Sequence, residues 1–155
     1  MARRAIEWNV GDVFLVETEG GRRFLAQVIG KGLDTMKSAL CAYTLVEYAE
    51  GRIEIGPADF ITVQFTTRDL LERGKWNIVG NQPAPTISSY FENYEDLMRS
   101  GFFGVTVRGS GVIRKFLEAC IGERYWDSFA DPEYFEMLLL PGLERPPTAK
   151  LHDQS

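Results

Sequence analysis

Histidine is almost missing from this chain: among 155 residues there is only His152, near the C-terminal end. A general base near neutral pH is most often histidine, and Ser–His or Cys–His nucleophiles need one inside the site. Those chemistries are therefore not expected, and the chain reads as a non-enzyme. Cysteine is scarce too. Cys41 and Cys120 both sit in apolar stretches, too far apart in sequence for zinc-ligand spacing and too few for a disulfide framework. They read as buried free thiols, with no metal and no cofactor implied. No apolar run approaches the length needed to span a bilayer. The start, Met1 to Glu7, carries charge with no apolar run behind it, so it is not a signal peptide. The expected compartment is the cytoplasm, with no membrane partner. Basic excess is missing as well: 17 Lys and Arg face 22 Asp and Glu, a net charge of −5. That argues against direct nucleic-acid binding, which calls for a basic patch, and permits a basic protein partner.

What is present is enough for one compact domain. An apolar fraction of 45% in a chain of this length can bury a sizeable core without staples. The first half reads as sheet. Val13 to Val16 forms a strand opened by Gly11-Asp12, with Phe14 as core material. Gly20-Gly21 then turns the chain into a second strand from Arg22 to Ile29. Ser38 to Tyr48 extends, and Ala49-Glu50-Gly51 turns into Arg52 to Ile55, where Ile53 and Ile55 alternate with charge. Phe60 to Phe65 follows, with Ile61, Val63 and Phe65 placed on one face. A short helix is predicted over Thr66 to Gly74, capped by Thr66 and stopped by Gly74. Trp76 to Val79 resumes as a strand ending at Gly80. Asn93 to Gly101 repeats that punctuation before a strand from Phe102 to Val107. The shared Asp-Leu-Leu and Asp-Leu-Met reflect common helix signals rather than a duplication. Helices are predicted over Ser110 to Ile121 and Tyr134 to Leu140, the second started by Asp131-Pro132-Glu133. In the first of these, Arg114, Lys115 and Glu118 are placed opposite the apolar side. The fold expected is α+β: a twisted, largely antiparallel, barrel-like sheet with short inserted helices and a helical C-terminal third. A single domain would cover residues 1–142, and residues 143–155 would be a flexible tail.

Two constellations merit chemical consideration. Paired carboxylates can hydrolyse glycosides without histidine. Glu92 with Glu95 and Asp96, or Asp127 with Asp131 and Glu133, are the candidates, although first helical turns attract acids anyway. The turn Arg108-Gly109-Ser110-Gly111 before a helix could cradle a phosphate or nucleotide on free N–H groups. It lacks the Lys-Ser/Thr ending of a P-loop and the third glycine of a dinucleotide fingerprint. Trp76 is read as packing the first short helix onto the sheet.

The order of features resembles a family. Gly11-Asp12-Val13-Phe14, a return strand ending Gln27-Val28-Ile29, and the run Thr67 to Asn81, with Gly74-Lys75-Trp76-Asn77-Ile78-Val79-Gly80-Asn81 as its most specific part, resemble the immunity protein 26 family of bacterial polymorphic toxin systems. Gly109 to Leu117 and Asp131-Pro132 with Tyr134-Phe135 also fit. Members often carry Ile-Pro-Leu where this chain has Val16-Glu17-Thr18, and its return strand, Phe24-Leu25-Ala26-Gln27, is bulkier. The resemblance implies a small α+β protein that binds and neutralises a cognate toxin without catalysis, for instance a nuclease-type effector. Gly11, Asp12, Phe14, Gly74, Trp76 and Gly80 then have structural roles. For partner contacts the exposed acids Glu47, Glu50, Glu92, Glu95 and Asp127 are the candidates. The alternative is a small-ligand module using Arg108, Gly109, Ser110 and Gly111. The oligomeric state is left open.

Overall fold

The computed structural model describes residues 5–33, 35, 37–87, 90, 94–100 and 105–152. Six strands, β1 (Asp12–Glu17), β2 (Arg23–Lys31), β3 (Ser38–Glu47), β4 (Phe60–Thr67), β5 (Ile78–Asn81) and β6 (Val107–Arg108), make one sheet in the order β5-β1-β2-β3-β4-β6. Every pairing is antiparallel except that of β4 with β6. The helices among the described residues include α1 (Asp69–Glu72), α2 (Tyr94–Arg99) and α3 (Ser110–Cys120), with 3-10 turns at Pro57–Asp59 and Glu136–Leu138.

Strands β1 to β3 are buried along nearly their whole length because both faces of the sheet are covered. Alternation divides the side chains between two clusters. Phe14, Val16, Ala26, Val28, Cys41 and Tyr43 face Trp76, α3 and Trp126. Val13, Leu15, Leu25, Ile29, Leu40 and Phe65 face Ile55, Tyr94 and Leu97. Trp76 stacks on Phe14 at 5.5 Å and meets Tyr43 edge-on at 6.0 Å. Its backbone N–H donates to the Leu70 carbonyl, so it ties α1 to the sheet. Gly74 has φ +75° where the chain leaves α1. Gly11 has φ +98°, and a Cβ there would stand 2.7 Å from the Gln82 carbonyl oxygen. Gly80 lies beneath Ile53. Asp12 is buried, accepting from the Asn9 N–H and the Asn81 side chain.

Several expectations need correction. The sheet is open rather than barrel-like: β5 and β6 are its two ends. The first half of the β4 edge is taken by the chain itself. Leu140 N–H donates to the Ile61 carbonyl, and the Thr62 hydroxyl donates to that of Leu138. The stretch Arg52 to Ile55 is not a strand; it meets the sheet through side chains, with Ile53 against Gly80 of β5 and Ile55 in the core. Its alternation survives, with Ile55 buried and Arg52 and Glu54 exposed. Ile61 packs with the Trp76 cluster while Val63 and Phe65 pack with the other, because the register slips where Thr44 pairs with Phe60. Thr66 remains in β4, and the N-cap of α1 is Arg68, which makes no side-chain capping bond.

Among the described residues the C-terminal third contains one α-helix, α3. Asp131 accepts from the Glu133 N–H as a cap would, but only the 3-10 turn Glu136–Leu138 follows. The reason is visible at Leu138 and Leu140, whose backbone groups serve β4 instead of a helix ladder. Residues 148–152, expected to be tail, pack back on the domain. The Trp126 N–H donates to the Lys150 carbonyl at 2.7 Å, the Thr148 hydroxyl donates to that of Cys120, and Ala149 is buried. The predicted cap Asn93, the stop Gly101 and the first three residues of the Phe102–Val107 strand lie outside the described residues.

Candidate functional site

Two polar clusters sit at the ends of α3. At its N-terminus, β6 runs beside the end of β4 and brings Ser110 to the start of α1. The Ser110 N–H donates to Thr67 Oγ1 at 2.9 Å, and its hydroxyl donates to Asp69 Oδ1 at 2.8 Å. The Thr67 hydroxyl donates to the same Asp69 oxygen at 2.8 Å. Burial works to raise the Asp69 carboxyl. The Ser110 and Thr67 hydroxyls and nearby backbone N–H groups outweigh it, so the group titrates below its ordinary value. The positive end of the helix dipole is thus met by the chain's own carboxylate. Arg108 turns aside, donating to the Tyr134 hydroxyl at 3.0 Å with its guanidinium 5.4 Å from that ring. In the Arg108-Gly109-Ser110-Gly111 turn the Ser110 N–H is therefore spent on Thr67 and the Ser110 hydroxyl on Asp69. Gly109 provides the extended entry into the helix, and Gly111 is exposed.

At the other end, Glu118 is only 1% exposed. It was expected on the solvent face. Its Oε2 accepts from the Glu19 backbone N–H at 2.8 Å, and Arg124 and Arg114 approach its two oxygens at 3.3 and 3.5 Å. Gly122, with φ +83°, ends the helix, and the Glu123 N–H donates to the Glu118 carbonyl. That turn aims the Glu123 carboxylate at the Thr18 hydroxyl and the Gly20 N–H, both at 2.9 Å. Two successive carboxylates thereby hold the tip of the β1–β2 hairpin.

The acids considered for partner contact or for paired-carboxylate chemistry do not converge. Glu47 is paired with Arg22 at 2.6 Å at the end of β3. Glu50 stands in the following turn with φ +54°. Glu95 and Asp96 both approach Arg99 on α2, at 3.7 and 3.5 Å. Asp127 lies beyond α3, on the opposite face of the sheet from α2, and accepts from His152, whose Nδ1 is 2.7 Å away. His152 also stacks on Tyr125, with ring centroids 4.0 Å apart. Glu92 lies outside the described residues. Among the described residues no group of three His, Cys, Asp or Glu could hold a metal ion.

What the sequence reading missed is the stretch from Glu123 to Glu144. It holds six carboxylates against Arg124 alone, a local net charge of −5, so the rest of the chain balances at sixteen acids and sixteen bases. Arg124 is committed to Glu118, whereas Glu133, Glu136 and Glu144 are exposed and form no ion pair among the described residues. The same stretch supplies three exposed large apolar side chains, Tyr125, Met137 and Leu143. A charge count by segment would have found it.

No helix among the described residues is long and apolar enough to cross a membrane. Comparison with protein-family models, curated proteins and solved structures gave no match.

Proposed function

We propose that this chain is an immunity protein that binds and neutralises a cognate bacterial toxin without catalysis, acting in the cytoplasm. The observation that carries the reading is where the polar groups are spent. Groups that cluster, at Ser110 with Asp69 and at Glu118 with its two arginines, are bonded to one another. The acids left facing solvent are ones that a basic partner could meet. The resemblance carried by Gly74 to Asn81 supplies the class of partner. Supporting the scaffold role of that run, Trp76 is buried and Gly74 supplies the positive φ of the turn that leads to it. The test is co-expression of the full chain with the toxin encoded beside its gene. Rescue of growth together with a co-purifying complex is the expected result. If no neighbouring toxin is neutralised or bound, the reading fails.

A further inference from the structure

The stretch from Glu123 to Glu144 has little regular structure, yet it is held firmly. Trp126 and Phe135 lie fully buried 5.7 Å apart, each against Phe116 of α3. Phe129 packs on Phe135 at 4.8 Å and on Tyr134 at 4.9 Å. The backbone of Leu138 and Leu140 is bonded to β4. A segment anchored in this way has little backbone freedom left to lose on binding, which lowers that part of the cost of association.

Those outer side chains are of two kinds. Met137 is 60% exposed, Tyr125 47% and Leu143 44%, and they make up half of the large apolar side chains exposed among the described residues. Along the chain, Asp131, Glu133, Glu136 and Glu144 stand between and beside them, all exposed; the nearby cations are Arg145 and Lys150, the latter bridged to Tyr125, so acids are in the majority. Apolar contacts rimmed by charge are the anatomy of a protein interface. The sign of the rim selects the occupant. A nucleic acid or an anionic membrane would be repelled, whereas a surface rich in Lys and Arg around an apolar depression would be drawn in and then packed against.

We propose that the outer side of this segment is the docking surface for a basic protein partner, with Tyr125, Met137 and Leu143 as packing contacts and Glu133, Glu136 and Glu144 as steering charges. This rests on the toxin-binding reading and gives that binding a location, moving the centre away from Glu47, Glu50 and Glu95; Asp127 lies within the segment but is taken up by His152.

The test uses the full chain in two arms. In the first, association with the neighbouring toxin is followed at low and at physiological salt. Glu133→Lys combined with Glu136→Lys should slow association about tenfold at low salt, with a smaller effect at high salt. Met137→Ala combined with Leu143→Ala should speed dissociation about tenfold, since packing contacts act mainly there. Glu54→Lys, an exposed acid elsewhere, should change neither. Unchanged rates in both double variants, with melting temperatures like the parent, would overturn the proposal while leaving toxin binding intact. In the second arm, an alternating lysine–leucine peptide is titrated against the isotope-labelled chain. Shifts confined to residues 123–144 are expected. Shifts centred elsewhere, or none, would overturn the surface even if no toxin complex forms, and absence of a complex in the first arm counts against the functional reading alone.

Discussion

Replacing Glu118 with alanine tests the account of how α3 holds the β1–β2 hairpin. The carboxylate is 1% exposed, while the Arg114 and Arg124 side chains beside it are 34% and 29% exposed. The arginines can therefore turn to water once the acid is gone, and each ion pair contributes no more than about 0.5 kcal/mol. The bond from the Glu19 N–H is different, because it is charge-assisted and its acceptor is fully buried. Such a bond is worth about 1.5–3 kcal/mol. Glu118→Ala should therefore destabilise by about 1.5–4 kcal/mol, which for a domain of this size lowers the melting temperature by about 3–16 °C. Glu118→Gln keeps an acceptor for Glu19 and should cost about 1–2 kcal/mol. Urea denaturation gives the free energies, and amide hydrogen exchange at Glu19 gives the local effect. Protection there should fall in the alanine variant and largely persist in the glutamine one. A loss below about 0.5 kcal/mol for Glu118→Ala, or unchanged exchange at Glu19, would refute the reasoning.

Three further outcomes follow from the same structure. Trp76→Ala should cost about 3–5 kcal/mol in denaturant titration, because it opens a cavity between Phe14, Tyr43 and α1. Trp76→Phe should cost less. The Asp69 carboxyl is lowered from an ordinary 3.8 in the folded state. Its contribution is therefore complete above that value and lost as pH falls through the lowered one. Asp69→Asn should be less stable than the parent at neutral pH and flatter in its acid limb, read as denaturation midpoints across the acid range. Burial pushes the Cys41 thiol up to about 12 and raises that of Cys120 as well, so neither should react with a thiol reagent at neutral pH until the chain unfolds. Modification of either in the folded protein would contradict their burial.

Local signals in the chain fixed local features. The run Val13 to Val16, the glycines at the hairpin tip and the 3.6-residue periodicity of Ser110 to Cys120 specify β1, its turn and α3, because backbone preference and one-sided burial act over a few residues. Trp76 and Gly74 were also legible, a large ring beside a residue suited to positive φ. The rest depended on contacts between distant parts of the chain. Glu118 looked like a solvent residue because helical spacing cannot reveal that a hairpin tip a hundred residues earlier would cover it. The Asp131 cap predicted a helix, but Thr62 and the Ile61 carbonyl claimed the backbone groups that helix needed. Ser110 beside Arg108 resembled an anion cradle until α1 brought Asp69 to it. By itself the sequence determined the strand and helix segments, the net acidity and the scarcity of histidine and cysteine. Tertiary structure decided that the sheet stays open and that the α3 termini are closed by Asp69 and by the hairpin. Those outcomes turn on which buried donor finds which acceptor, and in a folded chain that pairing is set by proximity in space rather than along the sequence.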